Sequence, residues 1–298
     1  MQGTKAAMRQ AILSGIRMPR IGTKRLEAVP DAERLQTAQL QAAIDALSAA
    51  GGGTLAFPAG IYRTGALRLK SGVELQLASP QTEIRFTPEE PERNYPLVFS
   101  HWEASPCRNY SALLYACDAH DIAVTGSGTL DGGADRDHWW NWHHQVEESW
   151  SENRPDLQRA DRSALRRMNE EGVPIPDRIF GGGHFLRPNF VQFLRCERVL
   201  LQGVTLHNSP MWQLNPVQCR SVIVDGMTLS SHGANNDGCD PESCSGVWIR
   251  NCRFDTGDDC ISLKSGRDRD GRTANIPCEN VLIEHNLFAD GHGGIALG

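Results

Sequence analysis

Short apolar, β-branched runs alternate with small polar clusters along most of this chain. Residues 54–57, 61–64, 66–69, 73–77 and 83–86 read as strands, punctuated by Pro58, Gly60, Gly65 and Gly72. Cys117, Ile122, Val124, Thr129 and Leu130 continue the pattern. Farther on, a register mark of the form Cys-x-x-Val recurs at Cys196, Cys219, Cys244 and Cys278, in steps of 23, 25 and 34 residues. The same kind of strand follows, as in Val222-Ile223-Val224, Val247-Trp248-Ile249 and Val281-Leu282-Ile283, and the longest step holds a loop over residues 266–277. Units this short cannot bury an apolar face alone, so they stack. The pattern predicts a solenoid of parallel strands.

Three stretches depart from it. Residues 1–30 are basic and irregular, with Pro19 and Pro30 as breakers, and are expected to be partly disordered. A helix is expected from Asp31, a plausible N-cap, to Gly51, with Leu40, Ile44 and Leu47 on one face to plug the end of the stack. Residues 131–187 read as a long insertion between coils, and residues 31–298 as one domain containing it. The insertion carries Trp139, Trp140 and Trp142, which either anchor it or stack on sugar rings. A helix follows from Pro155 to about Glu171, with Gly172 at its exit. A zinc site from Asp135, His138, His143 and His144 lacks ligand spacing.

The chemistry sits in three polar clusters: Asn235-Asn236-Asp237-Gly238, Gly257-Asp258-Asp259-Cys260 and Gly291-His292-Gly293-Gly294. Phe254 to Phe288 and Asp258 to His292 are both 34 residues, while Asp237 to Asp258 and Cys239 to Cys260 are both 21. That ruler puts Asp237, Asp258 and His292 in one column of three successive coils, with Asp259 beside them. With neighbouring parallel strands about 4.8 Å apart, the carboxyls should stand about 5–9.5 Å apart, the range used by paired-carboxylate glycosidases. Crowded carboxyls resist full ionisation, so at least one should keep a proton to higher pH. Asp-rich corners also occur as plain turns, but a turn has no use for the matching His292.

Asn-x-Asp-Gly, Gly-Asp-Asp-Cys and Gly-His-Gly, in this order, resemble the signature of glycoside hydrolase family 28, the polygalacturonases and related pectin hydrolases. The runs 235–243 and 255–260 resemble its bacterial exo-acting branch. The resemblance implies an all-β fold, a right-handed single-stranded parallel β-helix. It also implies inverting hydrolysis of α-1,4-linked galacturonic acid in pectic polymers or oligomers, without cofactor or metal. Carried over, Asp258 is the general acid, Asp237 and Asp259 orient and deprotonate water, and His292 tunes Asp258. Asn235 goes to the substrate side. Lys264 either grips a uronate carboxylate or is a solvated strand end, and His184 and Arg187 are weaker substrate-binding candidates. The family's further basic motif, Arg-Ile-Lys or similar, lies one to two coils past Gly-His-Gly, whereas this sequence stops at Gly298. The last coil is therefore expected to be open, showing Ile295 and Leu297 to solvent.

Bulk properties narrow the alternatives. A formal charge of −6 argues against general nucleic-acid binding. No run approaches the roughly 20 apolar residues of a membrane helix. A polyanionic substrate then needs local cations, and Lys264, Arg267, Arg269 and Arg272 are the candidates. The nine cysteines, an odd number, show no CxxC pairing, and four recur at one position. We expect buried free thiols and a cytoplasmic protein. Two rivals remain: a pectate or pectin lyase, which would need calcium and an arginine base, and a non-catalytic carbohydrate-binding solenoid.

Overall fold

The computed structural model describes residues 2–143 and 156–298. The strands form three parallel sheets wound as a right-handed β-helix. The first sheet holds eight strands, from Lys24–Glu27 to Glu279–Glu284, and the second holds eight, from Asp31–Leu35 to Leu287–Asp290. The third runs through Leu67–Arg68, Leu114–Cys117, Val191–Leu194 and Leu214–Val217. Bridges at Cys239 and Glu242 carry it on to Ile261–Leu263, which pairs with Ile295–Leu297. Each coil visits the sheets in the order first, second, third.

The register mark has a physical basis. The connections from the third sheet to the first, at 118–119, 195–196 and 218–219, are two residues long. Asp118, Arg195, Gln218 and Ser243 lead these corners in the left-handed region, with φ of 54°, 51°, 52° and 51°. Asp121, Arg198, Ser221 and Gly246 repeat it just after, at 56°, 56°, 57° and 73°. Between two such bends the side chain is driven inward, where only a small one fits. Cys196, Cys219 and Cys244 fill that place; the backbone N–H of Cys196 donates to Cys219 Sγ, and that of Cys219 to Cys244 Sγ, both at 3.3 Å. Val199, Val222, Val247 and Val281 stand in register beside them.

The connections from the second sheet to the third behave differently. A hairpin, Leu97–Trp102 with Ser105–Tyr110, leaves the solenoid there, and so does the segment between Thr129–Asp131 and Val191–Leu194. The insertion therefore lies within one coil, where the sequence reading had set it between coils. Its helix, Gln158–Glu171, ends at Gly172 with φ 71°, and Leu165 packs on Trp102, Phe180 and Trp212. Pro155 and His144 lie outside the described residues. Helix and hairpin together cover the outer face of the third sheet.

Two expectations about the first 50 residues need correction. Helix Gln2–Gly15 lies along the first sheet, tied by Arg9 to Glu284 at 2.9 Å, and Lys24–Glu27 pairs with Gly53–Phe57. Ile16 and Ile21 pack on Ala123, Leu200 and Ile223, which is why a segment with little apolar periodicity of its own still docks. The solenoid thus begins before residue 31. Asp31 opens a strand, its Oδ1 accepting from the N–H groups of Glu33 and Arg34, and the capping helix is Thr37–Ala49. Leu40, Ile44 and Leu47 are buried as expected. At the other end Ile295 and Leu297 are exposed. No helix among the described residues is long and apolar enough to cross a membrane.

Candidate active site

All three polar clusters fall at successive second-to-third corners, over 232–238, 257–260 and 291–294. The first corner is three residues longer than the others, and this shifts the register. Cys239 pairs with Ile261, and Gly238 N–H donates to the carbonyl of Asp259. Asp237 therefore stands level with Asp259, not with Asp258 as the 21-residue ruler had it. Asp258 and His292 do share a column, since Ile261 pairs with Ile295. The three aspartates still converge: one carboxylate oxygen from each lies within 4.8 Å of the others.

Glycines make the convergence possible. A Cβ on Gly238 would come within 2.4 Å of the Cys260 carbonyl, and one on Gly293 within 2.9 Å of Asp259 Oδ1. Asn236 holds the first corner. It is fully buried, its Oδ1 accepts from Gly233 N–H at 2.8 Å, and its Nδ2 donates to the carbonyls of Ser209 and Met211.

The environments of the carboxyls differ. Asp258 Oδ1 accepts from Asp259 N–H at 3.0 Å and stands 3.2 Å from His292 Nδ1. His292 is mostly exposed, and its backbone N–H donates to the Asp258 carbonyl. Asp237 is buried, and its Oδ1 has no hydrogen-bond partner. Burial, then the charge of Asp258, push the Asp237 carboxyl up to about 8, against the pull of Lys264. Asp237 is thus a crowded carboxyl whose burial favours the protonated form.

Glycosyl hydrolases family 28 matches residues 184–298, which hold all three corners. An exopolygalacturonase from Thermotoga maritima superposes with a TM-score of 0.93 at 43% identity, over 98% of this chain and 66% of that one. The chain belongs to glycosyl hydrolase family 28. It is 25% identical over 266 residues to a probable polygalacturonase of Vitis vinifera, covering 86% of this chain and 46% of that protein. It is 25% identical over 288 residues to the exo-poly-alpha-D-galacturonosidase of Dickeya chrysanthemi, covering 90% and 45%. The chain spans about half the length of these curated relatives.

The remaining candidates of this family 28 chain have definite places. Arg187, fully buried, donates from Nη2 to Asn235 Oδ1 at 2.8 Å, from Nη1 to the carbonyls of Pro210 and Ala234, and from Nε to Gln158. It buttresses the first corner from beneath. His184 is bound to Asp161 at 2.7 Å on the insertion and makes no contact with the carboxyls. Lys264 is not a solvated strand end. Its Nζ lies 3.8 Å from Asp237 Oδ2 and 3.7 Å from Asp240 Oδ1, over the Trp212 ring.

The other cations expected to meet a polyanion are drawn onto the insertion. Arg272 pairs with Glu170, and Arg269 lies against Gly172. Arg267 joins Arg162 and Arg166 around the single carboxylate of Glu103. Sequence reading gave no role to Glu103, Arg162, Trp212 or Asp240. Glu103 and Arg162 meet only through the hairpin and the insertion, which carry no repeat to align, and Trp212 lies in a corner of variable length. Asp240 stood inside the quoted motif, and only its burial sets it apart. As for metals, among the described residues a second trio, His232, Asp255 and Asp290, converges equally closely but lies at the surface. At the main site the Lys264 ammonium already stands beside Asp237 as its cation.

Proposed function

We propose that this chain hydrolyses α-1,4-linked galacturonic acid in pectic polymers or oligomers, from a chain end and without cofactor. The convergence of Asp237, Asp258 and Asp259 under His292 carries the reading, because glycosidic cleavage needs one carboxyl to protonate the leaving oxygen and another to activate water. The names of the T. maritima and D. chrysanthemi relatives support exo action on galacturonan. Three guanidiniums around one Glu103 leave excess positive charge that suits a polyuronate. Asp258 is the acid by resemblance, with Asp237 and Asp259 on the water. A second reading makes Asp237 the acid, favoured by its burial and its retained proton.

The reaction is proposed to invert. Inverting pairs usually stand about 6.5–9.5 Å apart and retaining pairs about 5–5.5 Å, and here one oxygen of each aspartate lies within 4.8 Å of the others, oxygens approaching more closely than carboxyl centres do. The spacing therefore leaves the choice to the product's first-formed anomer.

The test incubates the protein with polygalacturonate, once with calcium and once with EDTA, following reducing ends and ultraviolet absorbance together. Hydrolysis raises reducing ends alone. A rise in both identifies elimination, and a rise in neither identifies a binding solenoid; either result overturns the proposal.

A further inference from the structure

Asp240 is fully buried, and neither carboxylate oxygen has a hydrogen-bond partner. It ends a polar ladder on the outer face of the third sheet. Gln192 Nε2 donates to Asn215 Oδ1 at 2.8 Å, and Asn215 Nδ2 donates to the Asp240 carbonyl at 2.9 Å. Beyond it, Lys264 Nζ donates to Ser262 Oγ at 2.7 Å and sits 4.5 Å from the centre of the Trp212 ring. The same ammonium lies between Asp240 Oδ1, at 3.7 Å, and Asp237 Oδ2, at 3.8 Å. Asp258 and Asp259 face this group from the next corner, and the His101–Glu242 pair, 2.8 Å apart, flanks it, Glu242 being level with Lys264. One cation cannot offset two buried carboxylates, so the group must hold a proton.

We propose that Lys264 and Asp240 are positioning residues that set the charge on Asp237, the ammonium favouring its carboxylate and the buried acid behind that ammonium favouring its protonated form. Burial and the charge of Asp237 hold the Asp240 carboxyl well above the usual range, in keeping with a shared proton. A hydrolase that works through three crowded aspartates needs such a regulator, because the buried Asp237 Oδ1 has no hydrogen bond fixing its state. The proposal rests on the hydrolase reading for its kinetics but not for its electrostatics.

The test is a set of pH profiles of kcat/KM on oligogalacturonate. Asp240→Asn removes the competing acid and should move the profile to lower pH. Lys264→Met strips the counter-ion and should move it to higher pH by about one unit, with a loss of kcat. Lys264→Arg keeps the charge and should leave the profile in place. A residue that merely packs would lower turnover without displacing the two profiles in opposite directions. Unmoved profiles, or shifts of the same sign, overturn the proposal. If Asp240→Asn does not fold, the Lys264→Met and Lys264→Arg pair decides alone. If the wild-type chain hydrolyses nothing, the hydrolase reading fails, and thermal unfolding against pH becomes the readout. There the wild type should lose stability as pH rises through neutrality and Asp240→Asn should lose less; equal slopes sink the proposal.

Discussion

The two kinds of corner in this solenoid obey different rules. The third-to-first corners at 118–119, 195–196, 218–219 and 243–244 are two residues long and bend through the left-handed region, and the last three enclose a cysteine. Second-to-third corners vary from two residues at 65–66 to the whole stretch between Asp131 and Val191. The first kind sets the pitch, and its side chains point into the core. The second is free to change length, because its residues project outward and disturb only their own coil. Every catalytic candidate, the hairpin, the insertion and the Arg187 buttress belong to the second kind, and only the helical loop over 265–278 interrupts the first. In this chain, repetition builds the scaffold and irregularity builds the site.

Breaking the site corner should have the largest effect. Asp258→Asn should lower turnover by about three orders of magnitude or more, and Asp237→Asn and Asp259→Asn should each come close. Unfolding temperatures should barely fall, since these corners do not set the pitch. A substrate with an activated aryl leaving group separates the roles, because it dispenses with the acid. It should rescue Asp258→Asn and neither of the others. Rescue of Asp237→Asn instead would hand the acid to Asp237, and near-wild-type turnover by Asp258→Asn would remove it from the mechanism.

A second prediction uses the cost of the same carboxyl to the fold. Asp237 titrates near 8 when folded and near 3.9 when unfolded. The folded state therefore binds the extra proton between those values, and its stability from this group is full below about pH 4 and lost as pH rises through 8. An amide in place of this carboxyl has no proton to lose. Asp237→Asn should match the wild type near pH 4 in thermal melts and exceed it by several degrees at pH 8 to 9. A constant offset at all pH values would mean that Asp237 is not held neutral by its burial.

The same contrast governs how much could be read from the chain. Cys-x-x-Val was legible because the short corner forces one residue type into one place, and from it followed the solenoid, the strands and the Cys196–Cys219–Cys244 stack. The 34-residue spacing placed His292 over Asp258 for the same reason. The 21-residue spacing misplaced Asp237 by one residue, since it assumed a constant length at a corner where length varies. The docking of segment 2–30 was not legible because it comes from contacts with the first sheet, through Arg9 and Ile16, and not from any local pattern. That Lys264 is not a solvated strand end was not legible, because the partners that hold it, Asp240 and Trp212, come from two lower coils.

The smallest effect should come from the pitch-setting corner. Cys219 is fully buried, accepts the Cys196 N–H at its sulfur and approaches the Phe193 carbonyl at 3.1 Å. Cys219→Ala keeps the bend, because the left-handed residues at 218 and 221 are untouched, but removes the sulfur from a packed column. The cost should be about 1–2 kcal/mol, a loss of a few degrees in unfolding temperature. Turnover per folded molecule should not change, since no catalytic group touches this corner. A larger side chain probes the other side of the fit. Cys219→Leu would have to push against Cys196 and Cys244 at once, and should cost more than the alanine variant. If Cys219→Leu is tolerated as well as Cys219→Ala, the corner does not select for size. If instead either variant lowers turnover while melting like the wild type, the pitch-setting corner and the site corner are coupled, and the separation drawn between them is wrong.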